Sequence, residues 1–371
     1  MSEAPIKQTD PRAGYLAARG EIDAAIARVL LGGSYILGAE VEAFERAFAA
    51  YIGRNHGIGV ASGTDALVLA LRALDLGAED YVATVSHTAV ATVAAIELAG
   101  VKPLLVDVEP GTMTMDAAAL ERVFARPPGH IAAIIPVHLY GQAAALEPIQ
   151  ALARRHGAFL VEDCAQSHGA RLGAARLGSF GELAAFSFYP TKNLGAFGDG
   201  GMVCCDDPVL AERLRALREY GWRQRYVSDV PGVNSRLDAL QAAILGAKLA
   251  HLDADNGRRQ AIAALYDAGL AGSALALPVR RAGGTHVFHQ YVVRTPARDA
   301  LRAALATRGI GTGIHYPVPV HLQKAYAGRI AVAPGGLGES ERAAREVLSL
   351  PIYPELSEEE ALRVVAALRA N

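Results

Sequence analysis

The chain has 371 residues, and hydrophobic side chains make up 51% of them. This length predicts two or three domains, or one large α/β domain with an appendage, and the composition argues against disorder. The formal net charge of −2 gives no reason to expect nucleic-acid binding. No apolar run approaches the roughly 20 residues that a membrane span needs, and the N-terminal segment lacks the apolar core of a signal peptide.

Cysteine usage indicates the compartment. The chain has three cysteines, and two of them, Cys204 and Cys205, are adjacent, so they do not make a disulfide framework. We therefore expect a protein of the reduced cytoplasm. No group of cysteines and histidines has the spacing of zinc ligands, and we predict no metal.

Apolar strands alternate with alanine-rich amphipathic helices through the first part of the chain. Strands are predicted at 56–60, 81–85, 102–108, 130–139 and 159–165, and helices at 62–74, 88–100 and 147–157. This alternation predicts an α/β fold with a mostly parallel sheet flanked by helices. Ligands of such sheets bind at the carboxyl ends of the strands.

The pattern changes near Asn256. A long connecting helix is predicted at 236–253, and it is followed by helices at 258–269, 297–308 and 357–369 and by the apolar segment 286–294. We therefore predict a large domain over residues 1–255, which includes an N-terminal arm. A smaller C-terminal α+β domain is predicted over residues 256–371.

The stretch SGTDAL places Ser62, Gly63 and Thr64 where a strand leads into a helix. Free backbone N–H groups and the helix dipole favour an anion at such a point, and Thr64 adds a hydroxyl. The alternative is an ordinary helix cap made by Ser62 or Thr64. Both interpretations stay open from these residues alone.

The stretch VEDCAQSHG places Glu162 and Asp163 at the end of an otherwise apolar strand. A carboxylate there is costly without a partner. The partner is either an arginine or helix cap, or the cationic ring nitrogen of a bound cofactor. Gln166 and His168 follow in the loop, where we expect them to line the same pocket.

The stretch FSFYPTKNLGAFGDGG places Lys192 just beyond Pro190, which ends a strand. Ser187 is positioned to hold an anion nearby, and the glycines of 198–201 permit a tight turn. A phosphate raises the pKa of a lysine and apolar burial lowers it, and a neutral lysine forms an imine with a carbonyl. An anion site, a carboxylate for a pyridinium and such a lysine together indicate a pyridoxal phosphate site.

Four ordered motifs resemble the DegT/DnrJ/EryC1/StrS family of sugar aminotransferases from about residue 20 onward: GTDAL, VEDCAQSHG, FSFYPTKNLGAFGDGG and GVNSRLDALQAAIL. The family belongs to the aspartate aminotransferase superfamily, so the resemblance implies the pyridoxal-phosphate-dependent transferase fold type I. It also implies that Lys192 links covalently to the cofactor. By the same resemblance, Asp163 pairs with the pyridine nitrogen of the cofactor and Gln166 faces its phenolic oxygen.

The resemblance further implies the phosphate contacts. Gly63, Thr64 and Ser187 are expected to bind the phosphate of the cofactor. Asn234 is expected to reach the phosphate bound by the neighbouring subunit, in a homodimer whose active site is shared across the interface. One departure lies in SHTAVATVAAI, where the family often has an aromatic residue that stacks on the cofactor and this chain has Ala89. His87 either supplies the stacking face instead or caps the following helix.

The resemblance extends to the reaction. Some relatives carry histidine at the position of Lys192 and dehydrate, so Lys192 favours transamination. Segments 220–238 and 311–326 are most similar to enzymes that aminate 3-keto-6-deoxyhexoses carried on thymidine diphosphate. The implied reaction moves an amino group from glutamate to a nucleotide-linked keto-sugar, giving a dTDP-3-amino-3,6-dideoxyhexose. The alternatives are an aminotransferase for a C4 keto-sugar or a keto-inositol, and a cofactor-binding regulator without catalysis.

Six side chains are candidates for the substrate. His315 and Tyr316 are expected near the sugar, and Tyr189 either meets the sugar or packs beside the cofactor. Arg223, Arg225 and Lys324 are candidates for the diphosphate, because a guanidinium suits phosphate. The alternative for these arginines is an ordinary solvated surface.

Overall fold

A computed structural model describes residues 4–370 of the chain. The helices are α1 (Pro11–Ala17), α2 (Arg19–Gly32), α3 (Ala39–Ile52), α4 (Gly63–Ala73), α5 (Val90–Leu98), α6 (Ala117–Ala125), α7 (Leu146–His156), α8 (Pro208–Arg218), α9 (Ala239–Leu249), α10 (Leu252–Leu270), α11 (Arg298–Thr307), α12 (Gly338–Glu346) and α13 (Glu358–Arg369). Short 3-10 helices span Leu139–Gly141 and Val320–Leu322. Among residues 4–370, no helix has both the length and the apolar character required to cross a bilayer.

The strands are β1 (His56–Val60), β2 (Tyr81–Val85), β3 (Lys102–Val106), β4 (Ile131–Ile134), β5 (Phe159–Asp163), β6 (Arg171–Leu172), β7 (Ala175–Arg176), β8 (Leu183–Ser187), β9 (Gly201–Cys205), β10 (Trp222–Gln224), β11 (Val227–Ser228), β12 (Tyr291–Arg294), β13 (Ala331–Val332) and β14 (Val347–Leu350). Eight of them form one sheet in the order β1-β9-β8-β5-β4-β2-β3-β13. The pairs from β8 to β13 are parallel, whereas β9 runs antiparallel to β8 and β1. The α/β class and the mostly parallel sheet predicted from the alternation are confirmed.

Burial explains why the central strands read as apolar runs. All four residues of β4 and all five of β9 are buried, because helices cover both faces of the sheet. Strand β5 lies between β8 and β4, near the middle of the sheet. Its carboxyl end meets those of β2 and β8, and the candidate site lies at this edge.

The C-terminal part of the chain builds a second core around Tyr266, Tyr291 and Leu348, beside the antiparallel pair of β12 and β14. Ile6 of the N-terminal arm is buried in this core and forms a bridge with Ile310. The chain also returns to the large sheet, where β13 pairs with β3. The predicted boundary between residues 255 and 256 falls inside α10, and the two-domain division stays a prediction.

Two predicted elements end earlier than the sequence indicated. The connecting helix predicted at 236–253 is interrupted: α9 ends at Leu249 and α10 begins at Leu252. The strand predicted at 130–139 ends at Ile134. Pro136 follows closely and cannot donate a hydrogen bond to a neighbouring strand, so the regular strand ends there, and only an isolated bridge between Val137 and Asp163 continues the pairing with β5.

Candidate active site

Lys192 and Asp163 line one cavity of about 220 Å³ at the carboxyl ends of the strands. Asp163 is the last residue of β5, and Lys192 follows β8 in a turn closed by its N–H bond to the carbonyl of Tyr189 at 2.8 Å. Burial lowers the pKa of Lys192 to about 8, and the charge of Asp163 opposes this shift. The cavity therefore holds a lysine that changes its protonation near physiological pH.

Asp163 is a buried carboxylate that is held as a hydrogen-bond acceptor. Burial raises its pKa, while the N–H of Ala165 at 3.1 Å and the hydroxyl of Thr92 at 2.9 Å favour the charged form. Its own N–H donates to the carbonyl of Pro136 at 3.0 Å, and the N–H of His138 donates to its carbonyl at 3.1 Å. A buried carboxylate of this kind is completed by a cation in the cavity, which suits a protonated ring nitrogen.

Glu162 precedes Asp163 and makes a separate set of contacts, because successive side chains of a strand point to opposite faces. Its Oε1 accepts from the N–H groups of Phe180 at 2.7 Å and Gly181 at 2.9 Å, and its Oε2 accepts from Gly178 at 2.9 Å. For the carboxylates of Glu162 and Asp163 the sequence left open an arginine, a helix cap or the ring nitrogen of a cofactor as the partner. Glu162 is instead paired with His138, whose Nε2 donates to Oε2 at 3.0 Å.

His138 uses both ring nitrogens in hydrogen bonds to the protein. Its Nδ1 accepts from the N–H of Ala144 at 3.1 Å, so Nε2 carries the proton and donates to Glu162. His138, Glu162 and Cys164 have possible ligand atoms within 4.8 Å of one another. The carboxylate of Glu162 and both ring nitrogens of His138 already have protein hydrogen-bond partners. The hydrogen bonds of this cluster therefore hold the end of β5 in place.

The anion site predicted at the start of α4 opens into the same cavity, where Gly63, Thr64 and Ser187 lie together. Ser62 is the helix cap, since its hydroxyl accepts from the N–H of Asp65 at 3.1 Å, which leaves Thr64 to face the cavity. A Cβ at Gly63 would lie 2.5 Å from the Cβ of Ser187. Only glycine lets the first turn of α4, with its free N–H groups, approach Ser187 this closely.

Gln166 also lines the cavity, with its amide orientation fixed. Its Oε1 accepts from the N–H of Tyr140 at 2.7 Å, and its Nε2 donates to the hydroxyl of Tyr316 at 3.1 Å. The amide nitrogen therefore faces the cavity side and supplies a donor. A donor there suits an anionic phenolic oxygen.

His87 does not line this cavity; Thr88 and Ala89 do. Its ring is fully buried, with Nε2 2.8 Å from the hydroxyl of Tyr140. The N-cap of α5 is Ala89, and no side chain caps that helix. The placement of His87 thus supports neither the stacking nor the capping interpretation. His168, expected in the pocket, is instead buried against Phe48, Phe186 and Phe188.

The substrate candidates occupy three places. Tyr189 lines the cavity and is 53% exposed. Tyr316 and Lys324 line a neighbouring groove of about 600 Å³ that shares Thr88 and Ala89 with the cavity. Three further candidates, His315, Arg223 and Arg225, line neither space.

These three candidates nevertheless have definite environments. His315 bonds to the hydroxyl of Ser349 at 2.8 Å, and burial together with the charge of Lys192 lowers its pKa to about 4. Arg223 and Arg225 lie on the exposed hairpin of β10 and β11, where Arg225 lies over the ring of Tyr226. Asn234 is exposed and does not line the cavity of its own chain.

Comparisons with known proteins agree with this geometry. The model of the DegT/DnrJ/EryC1/StrS aminotransferase family matches residues 17–369. The chain belongs to this family. It is 51% identical over 361 residues to the dTDP-3-amino-3,4,6-trideoxy-alpha-D-glucose transaminase of Streptomyces venezuelae, covering 97% of this chain and 94% of that protein.

Two solved structures of the family are similar over most of the chain. The crystal structure of S. venezuelae DesV in complex with a ketimine intermediate has a TM-score of 0.95 at 50% identity, covering 99% of this chain and 98% of that one. NtdA from Bacillus subtilis, with bound PMP, has a TM-score of 0.87 at 29% identity, covering 95% and 82% of the two chains. The fold is therefore that of the type I transferases, and the protein is a pyridoxal-phosphate-dependent aminotransferase.

The cavity of this aminotransferase fits its cofactor. One space is surrounded by a carboxylate that accepts its hydrogen bonds from the neutral donors Thr92 and Ala165, by a glycine-dependent anion site and by a lysine of lowered pKa. Sequence reasoning missed Thr92, which orients Asp163, and Tyr140, which orients Gln166. Thr88 and Thr92 are four residues apart, a spacing that places two hydroxyls on one side of a helix and that could have indicated Thr92. Tyr140 contacts Gln166 through its backbone N–H, and a backbone contact gives no signal in the sequence.

Proposed function

We propose that this aminotransferase moves an amino group from glutamate to C3 of a dTDP-linked 3-keto-6-deoxyhexose, giving a dTDP-3-amino-3,6-dideoxyhexose. Amino transfer is supported above all by one observation: Lys192 and Asp163 line one cavity beside the anion site. The substrate class is supported by the 51% identical relative, whose name specifies dTDP and an amino group at C3. Glutamate is the donor that the family resemblance implies.

The cofactor contacts follow from the chemistry of the side chains. Gly63, Thr64 and Ser187 would hold the phosphate through N–H and hydroxyl donors. Asp163 would keep the ring nitrogen protonated, because its carboxylate has a neutral donor on either oxygen and no cation of its own hydrogen-bonded to it. Gln166 would donate from Nε2 to the phenolic oxygen.

Lys192 is the proton carrier of the reaction. Bound pyridoxal phosphate withdraws electrons from the carbon that carries the amino group and so makes its C–H bond acidic. The Nζ of Lys192 accepts the proton from the α-carbon of the donor and delivers a proton to C3 of the sugar in the second half of the cycle. A pKa of about 8 suits both roles near neutral pH.

The sugar nucleotide would extend from the cavity along the groove of Tyr316 and Lys324. Thr88 and Ala89 belong to both spaces, which supports a continuous path. Tyr189 would lie at the sugar, since it lines the cavity while half of its surface stays exposed. In this proposal Lys324 meets the diphosphate in its own chain, and Arg223 and Arg225 meet that of a second subunit.

A homodimer forms part of the proposal. Asn234 precedes Ser235, whose hydroxyl donates to Asp65 at 2.7 Å and accepts from the N–H of Ala61 at 3.0 Å, so the segment is held rigidly. Ile36, which is exposed, forms a bridge with Asp238, four residues beyond Asn234 in the chain. A second copy would bury Ile36 and bring Asn234 to the phosphate in the partner's cavity. The buried free thiols of Cys164, Cys204 and Cys205 support a reduced compartment, which we take to be the cytoplasm.

Product analysis tests this function. The purified protein, supplied with pyridoxal phosphate and glutamate, would be given a dTDP-linked 3-keto-6-deoxyhexose, its 4-keto isomer and a keto-inositol in parallel. We expect an amino-sugar from the 3-keto compound alone, and none with Lys192→Ala. Amination of the 4-keto sugar or the inositol in preference would contradict the substrate assignment, and no amination of any of them would contradict the activity.

A further inference from the structure

Tyr140 lies behind the cavity and is almost completely buried. It belongs to the 3-10 turn Leu139–Gly141 that follows β4, and its φ of 61° is in the left-handed region, which bulky residues rarely adopt. This conformation points its N–H at Gln166 while its side chain extends in another direction. A strained residue at such a place indicates a constraint on the site.

The hydrogen bonds around Tyr140 form a closed circuit. Its N–H donates to Oε1 of Gln166 at 2.7 Å, and Nε2 of the same amide donates to the hydroxyl of Tyr316 at 3.1 Å. Tyr316 is covalently joined to His315, and the carbonyl of His315 accepts from the hydroxyl of Tyr140. The circuit thus links an amide of the cofactor cavity to the segment that carries two substrate candidates.

The protonation states make the direction of each bond definite. Burial raises the pKa of Tyr140 well above its ordinary value, so the hydroxyl keeps its proton and gives it to the carbonyl of His315. Burial lowers the pKa of His87 to about 4, so that ring is neutral. Its single proton lies on Nε2 and is donated to Tyr140, and its Nδ1 is the buried atom without a hydrogen-bond partner.

We infer that Tyr140 is a positioning residue for the second half of the reaction: it fixes His315 and Tyr316 relative to Gln166, and His87 holds its hydroxyl in place. The inference rests on the proposed function, in which the sugar nucleotide lies along the groove that Tyr316 lines. It gives His87 a role at the back of the substrate segment in place of the cofactor contact expected from the sequence.

Tyr140→Phe tests the inference, because it removes the hydroxyl and keeps the backbone bond to Gln166. We expect cofactor affinity and the rate of the reaction with glutamate alone to stay within about twofold of wild type. The KM for the keto-sugar should rise about tenfold, the usual consequence of losing one such hydrogen bond. Hydrogen–deuterium exchange of residues 313–317 should become faster in the cofactor-free protein.

Tyr266→Phe is the matched control. Tyr266 is fully buried, and its hydroxyl donates to the carbonyl of Pro351 at 2.8 Å, so this variant loses an equivalent bond inside the C-terminal core. It should leave the KM for the sugar and the exchange of 313–317 unchanged. Equal loss of both half-reactions in Tyr140→Phe, or unchanged exchange at 313–317, would overturn the inference.

Tyr316→Phe keeps the test decisive if Tyr140→Phe does not fold. It breaks the link between Tyr316 and Gln166 at a partly exposed position and should also speed exchange at 313–317. Unchanged exchange in this variant would contradict the circuit. If wild-type protein fails to aminate the keto-sugar, the proposed function fails, while the exchange measurements on cofactor-free protein still decide whether Tyr140 positions the segment.

Discussion

The hydroxyl of Thr92 donates a hydrogen bond to Oδ2 of Asp163 across 2.9 Å, from the first turn of α5. The hydroxyl of Thr88 lies 3.2 Å from that of Thr92 and supplies the next donor, because the proton of Thr92 is already used. Two hydroxyls in series therefore hold Asp163 as an acceptor. This arrangement stabilises the ionised carboxylate that a protonated ring nitrogen requires.

Thr92→Val removes the first of these donors at nearly constant volume. We expect affinity for pyridoxal phosphate to fall about tenfold, because a hydrogen bond to a charged group is among the stronger ones. Thr84→Val is the control, since Thr84 is also buried and donates to the carbonyl of Ile135 at 2.9 Å, away from Asp163. Titration of both apoproteins with the cofactor measures the difference, and equal affinities would contradict the role of Thr92.

Glu162→Gln should destabilise the fold at the same strand end. Each carboxylate oxygen of Glu162 accepts from two donors, so an amide nitrogen in either position would face two N–H groups. We expect a loss of about 3 kcal/mol in the free energy of unfolding, measured with urea. In Glu182→Gln the loss should stay below about 0.5 kcal/mol, because Glu182 is exposed and its Oε2 accepts a hydrogen bond from the N–H of Leu160 that a glutamine Oε1 can also accept. Similar losses of stability in both variants would contradict the role of Glu162 in holding the end of β5.

Gly63→Ala should weaken phosphate binding selectively. The new Cβ would lie 2.5 Å from the Cβ of Ser187, so β8 and the start of α4 must separate. We expect affinity for pyridoxal phosphate to fall at least about tenfold while affinity for unphosphorylated pyridoxal changes little. Gly257→Ala in α10, where nothing lies within 4 Å of the added atom, should leave both affinities unchanged. Equal loss for pyridoxal would show that the damage is not confined to the phosphate contacts.

Lys192→Met should stabilise the cofactor-free protein in a pH-dependent way. The pKa of Lys192 is about 8 in the folded protein against 10.5 as its ordinary value, so between these values the unfolded chain binds more protons. Wild-type stability therefore rises with pH across that window, and the cost of the buried charge is fully present below pH 8. We expect Lys192→Met to gain roughly 3 kcal/mol at pH 7, a gain that shrinks toward pH 10. A gain that is constant from pH 6 to 10 would contradict the lowered pKa.

The sequence predicted the parts of the site that depend on residue type and chain order. Lys192, Asp163 and the anion site follow strand ends, and parallel strands bring those ends together. Elements that depend on local backbone conformation were not predictable. The break between Leu249 and Leu252 lies in a stretch of good helix formers, and the left-handed turn at Tyr140 sets a hydrogen bond that no periodicity reveals.

The hydrogen-bond partners of buried side chains were the second feature that the sequence did not predict. Glu162 was expected beside an arginine, a helix cap or a cofactor ring nitrogen, but it is bound by His138 and by three N–H groups of residues 178–181. These contacts depend on how the loop after β7 closes over the sheet. His87 was expected to stack on the cofactor or to cap the following helix, whereas its hydrogen-bond partner, Tyr140, lies 53 residues away.

In the proposed function Lys192 joins a cofactor in this cavity and carries protons for amino transfer. The most direct measurement is the visible absorption spectrum of the purified protein with pyridoxal phosphate, recorded before and after glutamate, in wild type and in Lys192→Ala. We expect a yellow wild-type protein whose visible band disappears with glutamate. Lys192→Ala should show no lysine-linked band and should keep the wild-type fold by circular dichroism. A wild-type protein that stays colourless with added cofactor, or a band that Lys192→Ala retains unchanged, would contradict it.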